Sequence, residues 1–253
     1  MIHLSNTFYG FLLTILAGAA TMIGTILIFI KFKNQDRIIQ FSLSFAAGVM
    51  ITVSFTDLIP ESFSMLSKVF YMFPAILFCA IFFAVGILFS MLIDKFLPTD
   101  FSQNSSLYRI GIFSMLAIIL HNIPEGIATF MATHDNLTLG LSLATAIALH
   151  NIPEGISISI PIYYGTKSRG KSIFYTFVSA ISEPFGALLA FLFLSPFIND
   201  FVLGILFSMI AGIMVHIASY ELIPAGFQYD DKFRSIVAFL IGAILMILNH
   251  FCF

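Results

Sequence analysis

The stretch HNIPEG at residues 121–126 recurs without change at residues 150–155. In each copy the histidine precedes the glutamate by four residues, so a helix presents both side chains on one face, one turn apart. Imidazole nitrogen and carboxylate oxygen together suit a divalent transition metal. The duplicated pattern therefore predicts two neighbouring helices that share a metal site.

The composition is that of a membrane protein. The chain of 253 residues is 59% hydrophobic and only 9% charged, and its mean hydropathy is +1.03. About a quarter of the residues of a soluble domain are charged, so this composition predicts an all-α integral membrane protein. The spacing of Cys79 and Cys252 indicates neither a disulfide nor a thiolate metal site. We expect no prosthetic group and no nucleic-acid partner.

Apolar runs long enough to cross a bilayer as helices are separated by short polar breaks. They predict eight transmembrane helices in a single domain, residues 1–253, with no soluble domain. The predicted spans are residues 7–30, 38–60, 69–93, 108–132, 137–164, 172–195, 201–224 and 234–251.

Basic residues are distributed unequally between the two sides of the predicted bundle. Of the 11 lysines and arginines, all except Lys68 lie in or beside the connections after spans one, three, five and seven. The positive-inside rule puts those connections in the cytoplasm and both chain termini outside it. We expect a multi-pass protein of a plasma membrane.

Three ionisable residues lie at a similar depth in their spans. At about 1.5 Å per residue, His121, His150 and Glu183 all fall near the middle of the bilayer. A charged side chain at that depth costs roughly 2.5–3.5 kcal/mol on insertion scales. Glu125, Glu154 and Glu183 therefore require bound cations or protons, and we expect them to lie close together.

Each motif also contains a proline. Pro124 and Pro153 lack the N–H that would bond to the carbonyls of Leu120 and Leu149, so we expect both helices to be kinked there. The freed carbonyl oxygens would be additional ligands, as in the broken helices of transporters. Gly126 and Gly155 permit close packing of the helices.

A second, weaker repeat relates span two to span seven. These two spans run in opposite directions, so the repeat predicts an inverted 3+2+3 arrangement with spans four and five as the central pair. Asp57 corresponds to Glu221, which puts the two acids near opposite mouths. The repeated residues are Ser44, Ala47, Gly48, Met50, Leu58, Ile59 and Pro60, which recur as Ser208, Ala211, Gly212, Met214, Leu222, Ile223 and Pro224.

The doubled HNxPEG motif, Ser-Glu-Pro at 182–184 and the Asp/Glu-Leu-Ile-Pro ends of spans two and seven resemble the ZIP family of divalent-metal transporters, in particular its bacterial zinc-uptake branch. The similarity extends over essentially the whole chain. It implies uptake of Zn²⁺, and of Fe²⁺, Mn²⁺, Co²⁺ or Cd²⁺, into the cytoplasm by alternating access. It also implies that a bundle with spans four and five moves against a scaffold, and that the protein forms homodimers in the lipid bilayer.

The resemblance also implies a set of metal ligands. The principal site would be formed by His121, Glu125, His150, Glu154 and Glu183. Asn122 and Asn151 would join the shared glutamates in an adjacent second site. Some members of the family have Asp at the position of Asn151, so the neutral amide here predicts a weaker second site.

We expect Asp57, His216 and Glu221 to lie on the ion's pathway, but several residues have a plain structural interpretation as well. Asn122 and Asn151 are compatible with hydrogen bonds between helices, Asp57 and Glu221 with anchoring of span ends, and His216 with a buried core position. His3, His134 and His250 are expected at the interface, without a role. For the whole chain the alternative function is an intramembrane metalloenzyme with a fixed zinc or di-iron centre. That function would leave the inverted repeat without an explanation.

Overall fold

The protein is described by a computed structural model over residues 2–96, 103–194 and 199–252. These residues form helices, turns and short connections, with no strand among them. In the first half of the chain the helices are α1 (Ile2–Ile23), α2 (Gln35–Val53), α3 (Ile59–Val69), α4 (Met72–Phe96) and α5 (Gln103–Asp135). A 3₁₀ segment, Gly24–Phe29, extends α1.

In the second half each long hydrophobic run is again helical. The helices are α6 (Leu137–Thr166), α7 (Arg169–Ala180), α8 (Ser182–Leu189), α9 (Asp200–Ile217), α10 (Ile223–Phe227) and α11 (Lys232–Cys252). A π-helical segment, Ala190–Leu194, extends α8.

Seven helical stretches among the described residues are long and apolar enough to cross a membrane. The helix that this count omits is α6, which has 30 residues and is amply long at about 1.5 Å per residue. Its sequence includes His150, Asn151 and Glu154, which lower its mean hydropathy. The helical membrane fold predicted from the composition is confirmed, with seven apolar spans and a more polar helix between them.

One helix irregularity was not expected from the sequence. Both α5 and α6 continue as helices through Pro124 and Pro153, the positions at which kinks are expected. The sixth span is interrupted for one residue, at Ile181 between α7 and α8. Glu183 therefore lies in the first turn of α8.

Two π-helical segments occur at equivalent places in the weaker repeat. Ser54–Leu58 joins α2 to α3, and Ala218–Leu222 joins α9 to α10. Each precedes an Ile-Pro pair, and because proline has no N–H and its ring collides with the preceding turn, the wider π turn accommodates it. Span two therefore continues beyond its predicted end at residue 60, as far as Val69.

The helices pack in two groups. The bundle consists of α1, α5, α6, α7 and α8: α5 and α6 lie along each other, α1 contacts α6, and α8 contacts α5. The scaffold consists of α2, α3, α4, α9, α10 and α11: α2 packs against α11, and α4 packs against α9. The two groups meet where α6 contacts α2 and α5 contacts α9.

Two close approaches hold the bundle together. A Cβ atom at Gly126 would collide with the backbone of Glu183, and one at Gly155 would collide with the backbone of Thr21. Glycine lets the two backbones touch at each crossing. As a result, α8 is held against α5 and α1 against α6 at the level of the two motifs.

Candidate metal centre

The antiparallel pair α5 and α6 brings the two HNIPEG motifs together. Asn136 is the single residue between the helices. Its side-chain oxygen accepts hydrogen bonds from the backbone N–H groups of Thr138 (2.9 Å) and Leu139 (3.2 Å), which starts α6 immediately. The tight connection makes the helices neighbours, with the histidine and glutamate of each copy on the facing side.

The histidines and glutamates form one buried cluster. Glu125 Oε1 lies 3.1 Å from His121 Nε2 and 3.0 Å from His150 Nε2, and Glu154 Oε1 lies 3.6 Å from His121 Nε2. The ring centroids of the two histidines are 6.0 Å apart. Ligand atoms of His121, Glu125 and His150 all lie within 4.8 Å of one another, so one cation can contact all three.

Glu183 and the two asparagines border the cluster. Asn151 Nδ2 donates to Glu183 Oε2 at 2.8 Å and to the backbone oxygen of Ala17 at 2.9 Å. Asn122 Nδ2 donates to the backbone oxygen of Ser179 at 3.5 Å. Both asparagines therefore bond between helices, as their structural interpretation expects, and both keep an oxygen directed elsewhere.

Many buried polar atoms of these residues make no hydrogen bond within the described part of the chain. A buried acceptor or carboxylate without a partner is expensive, and several such atoms together favour a cation that they bind in common. Nitrogen of histidine and oxygen of carboxylate or amide are ligands of Zn²⁺ and of other first-row divalent ions. The atoms are His121 Nδ1, Asn122 Oδ1, Glu125 Oε2, Asn151 Oδ1, Glu154 Oε2 and Glu183 Oε1.

Asp57 is not one of the residues whose ligand atoms come together in the cluster. Its Oδ1 is 2.6 Å from His250 Nδ1, and its Oδ2 accepts a hydrogen bond from Thr56 Oγ1 at 2.9 Å. Both members of the pair are partly exposed, at 35% for Asp57 and 45% for His250. His250 thus has a polar role that spacing in the sequence did not indicate.

Glu221 and His216 also lie outside the cluster. Glu221 Oε1 is 3.5 Å from Arg109 Nη2 of α5, so this acid is paired with a cation. His216 Nδ1 is hydrogen-bonded to Ser90 Oγ at 2.9 Å, and its ring stacks on Tyr220. His216 therefore contacts the scaffold helix α4, in agreement with a core position.

A polar cavity of about 270 Å³ opens where the starts of α2 and α5, the end of α6 and the α10–α11 turn meet. Its lining includes Asp36, Lys167, Tyr229 and Asp230. Burial and the nearby carboxylate of Asp36 raise the pKa of Tyr229 to about 12. Four sequence-distant segments meet here, so the basic connections after spans one, three, five and seven share one end, called the basic end below.

The fold and the cluster define a helical membrane protein whose interior carries a His/Glu site that fits a divalent cation. A sequence profile of the ZIP zinc transporter family matches residues 99–250. The chain belongs to this family, as its motifs indicated.

Individual relatives are similar along nearly the full length. The zinc transporter ZupT of Campylobacter jejuni is 39% identical, covering 96% of this chain and 95% of the relative. ZupT of Oceanobacillus iheyensis is 38% identical over 96% and 97% of the two chains, and ZupT of Akkermansia muciniphila is 41% identical over 93% and 94%. The family consists of transporters, so the metalloenzyme alternative is not supported.

Proposed function

We propose that this protein carries divalent transition-metal ions, with zinc favoured, across a bacterial inner membrane into the cytoplasm. The observation that carries the proposal is the buried contact of Glu125 with both His121 and His150, at 3.1 and 3.0 Å. A buried cluster of ligands between membrane helices suits an ion that has left water and must return to it. The relatives named zinc transporters agree with this cargo.

In this proposal the principal site consists of His121, Glu125, His150, Glu154 and Glu183. Asn122 and Asn151, together with the shared glutamates, form an adjacent, weaker site. The free amide and carboxylate oxygens described above support both positions. Mixed nitrogen and oxygen ligands without thiolate fit Fe²⁺, Mn²⁺, Co²⁺ and Cd²⁺ as well as Zn²⁺, and the metal is cargo rather than a prosthetic group.

We also propose that residues 1–253 form one domain of eight spans with both termini outside the cytoplasm. The cavity at the basic end supports this topology because it joins connections that the positive-inside rule assigns to the cytoplasm. The single-residue connection between α5 and α6 lies at the other end and contributes Asn136 instead of a basic residue.

The inverted 3+2+3 repeat is supported by equivalent packing. A Cβ atom at Gly48 would collide with the backbone of Phe239, and one at Gly212 would collide with the backbone of Phe83. The contact of α2 with α11 thus has the same form as the contact of α9 with α4. The two π-helical segments at equivalent positions add a second correspondence.

Transport by alternating access would move the bundle against the scaffold. Asp57 is then a residue of the outer mouth, Glu221 a residue of the inner mouth, and His216 a residue of the ion's pathway. A homodimer within the lipid bilayer remains part of the proposal on the strength of the family resemblance alone.

The first test is Zn²⁺ uptake into proteoliposomes by the unmodified protein and by Glu125→Ala and Glu154→Ala. The matched control is Glu61→Ala, because Glu61 is an exposed carboxylate on α3 outside the cluster. We expect saturable uptake that both cluster variants lose and that the control keeps, at equal levels of reconstituted protein.

A different result would overturn the proposal. Stoichiometric Zn²⁺ binding without flux would identify a fixed metal site. Flux that persists in both glutamate variants would put the transport site elsewhere in the chain.

A further inference from the structure

The hydroxyl of Thr21 differs from the other buried threonine hydroxyls of the first span. Thr14 Oγ1 donates to the backbone oxygens of Gly10 and Phe11, and Thr25 Oγ1 donates to that of Met22. Thr21 is fully buried and its Oγ1 makes no hydrogen bond among the described residues. Buried hydroxyls usually have a partner. Other buried hydroxyls in the described part of this chain also lack one, such as those of Ser114 and Thr129, but Thr21 packs against Gly155 of the second motif.

The backbone carbonyl one turn before Thr21 is already bonded to the site. Threonine in a helix commonly donates to the carbonyl four residues earlier, which here belongs to Ala17. That oxygen accepts the side-chain amide of Asn151 at 2.9 Å. Thr21 therefore lies one turn from a direct hydrogen bond between α1 and the second HNIPEG motif.

The packing of α1 on α6 repeats the packing of α8 on α5. Gly155 lies against the backbone of Thr21, just as Gly126 lies against the backbone of Glu183. Asn151 donates to the carbonyl of Ala17, just as Asn122 donates to the carbonyl of Ser179. Since the two motifs are copies of each other, both correspondences make Thr21 the counterpart of Glu183.

The counterpart relationship indicates which group Thr21 faces. Glu183 accepts a hydrogen bond from Asn151 at 2.8 Å, so the equivalent neighbour of Thr21 is Asn122. The Oδ1 atom of Asn122 also makes no hydrogen bond among the described residues. The hydroxyl of threonine is two bonds closer to its backbone than a glutamate carboxylate, and it makes no direct hydrogen bond to Asn122, so a bridging water molecule would give both atoms a partner.

We propose that Thr21 is a positioning residue of the metal site, whose hydroxyl holds a water molecule of the bound ion against Asn122. This inference rests on the proposed function. Thr21 puts a neutral hydroxyl beside Asn122, whereas the equivalent place beside Asn151 has the Glu183 carboxylate. An ion beside Asn122 therefore keeps a water ligand. Fewer carboxylates and a retained water both favour release of the ion over tight retention.

The test separates the hydroxyl from the bulk of the side chain. Thr21→Val keeps the shape and removes the hydroxyl, whereas Thr21→Ser keeps the hydroxyl and removes the methyl group. The control Thr14→Val removes a hydroxyl of the same helix that already bonds to its own backbone. Zn²⁺ uptake in proteoliposomes gives KM and the maximal rate, and equilibrium dialysis of the purified protein gives the affinity directly.

We expect Thr21→Val to raise KM and the dissociation constant by about tenfold, the lower bound for losing a group that supports a metal ligand. Thr21→Ser and Thr14→Val should stay near the unmodified protein, and the maximal rate at saturating Zn²⁺ should change little. If Thr21→Val does not insert, Thr21→Ala compared with Thr21→Ser isolates the same hydroxyl.

Two results would overturn the inference. Equal weakening of Zn²⁺ binding by Thr21→Val and Thr21→Ser would indicate a packing role. Unchanged Zn²⁺ binding in Thr21→Val and Thr21→Ala would show that the hydroxyl does not contribute. The dialysis assay with Glu125→Ala tests the main site separately. If Glu125→Ala abolishes Zn²⁺ binding and Thr21→Val leaves it unchanged, the role of Thr21 is contradicted but the proposed function is not. Unchanged binding in Glu125→Ala would contradict the proposed function.

Discussion

Arg109 and Glu221 form an ion pair between the bundle and the scaffold, with 3.5 Å between Nη2 and Oε1. Arg109 belongs to α5, which carries the first HNIPEG motif, and Glu221 belongs to the π-helical segment after α9. Asp57, which corresponds to Glu221 in the weaker sequence repeat, pairs with His250 inside the scaffold. Near the basic end, Lys167 of the bundle also donates to Gln35 of the scaffold at 3.3 Å.

Arg109→Gln should loosen the closure between bundle and scaffold at the basic end. A partly exposed ion pair contributes about 1 kcal/mol, which corresponds to roughly a fivefold change in a two-state equilibrium. In a background with Cys79→Ala and Cys252→Ser, a cysteine introduced by Leu107→Cys lines the cavity at this end. We expect its alkylation by a hydrophilic maleimide to be about fivefold faster after Arg109→Gln.

The matched control is Arg234→Gln. Arg234 pairs at 3.0 Å with Asp231, three residues earlier, so this ion pair does not connect the bundle to the scaffold. The control should leave the alkylation rate unchanged. Equal rates in the Arg109 variant and the unmodified background would indicate that the ion pair does not contribute to closure.

Gly126→Ala should force α8 away from α5. The added Cβ would collide with the backbone of Glu183, and overpacking of this kind costs about 1–3 kcal/mol. We expect a lower Tm in detergent and weaker Zn²⁺ binding, since the carboxylate of Glu183 moves with its helix. In Gly170→Ala the nearest atom is the Ser168 hydroxyl oxygen at 3.9 Å, so this control should match the unmodified protein. The same Tm in both variants would contradict the close approach.

The core of the site could be predicted from the sequence because its information is local. A histidine and a glutamate four residues apart share a helix face whatever surrounds them, and the duplicate on an adjacent helix is directed to the same place. The contact of Glu125 with His121 and His150 follows from these two facts and the short connection at Asn136.

The missed features depend on distant parts of the chain. His250 lies far from Asp57 in sequence, and only the packing of α11 beside the first π-helical segment brings them together. The surroundings of Thr21 likewise depend on the packing of α1 on α6. The kinks expected at Pro124 and Pro153 stay a prediction, since both helices continue through these residues.

Binding of Zn²⁺ should weaken as the pH falls. An imidazole must be neutral to bind a metal, and its ordinary pKa is about 6.5, so protons compete with the ion for His121 and His150. We expect the dissociation constant to be nearly constant above pH 7.5 and to rise below pH 6.5 by about tenfold per pH unit for each imidazole that is displaced. Equilibrium dialysis over this range measures the slope, and an affinity that is equal at pH 5.5 and pH 7.5 would exclude imidazole ligands.

Asp57→Asn distinguishes a vestibule residue from an anchor of the helix end. Asp57 is partly exposed, and at the outer mouth that we propose for it an anionic side chain would raise the local concentration of cations. We expect the substitution to raise the KM of Zn²⁺ uptake by about threefold at low ionic strength. The difference should diminish in 0.5 M salt, because exposed charges are screened there.

Two controls accompany this measurement. Glu61→Gln removes an exposed carboxylate one turn further along, and its KM should change less if the position of Asp57 matters rather than the total charge. His250→Gln removes the partner of Asp57 and keeps the carboxylate, so its KM should not rise. If KM rises after His250→Gln and not after Asp57→Asn, His250 is the residue that receives the ion. If KM is unchanged in both variants, Asp57 is an anchor of its helix.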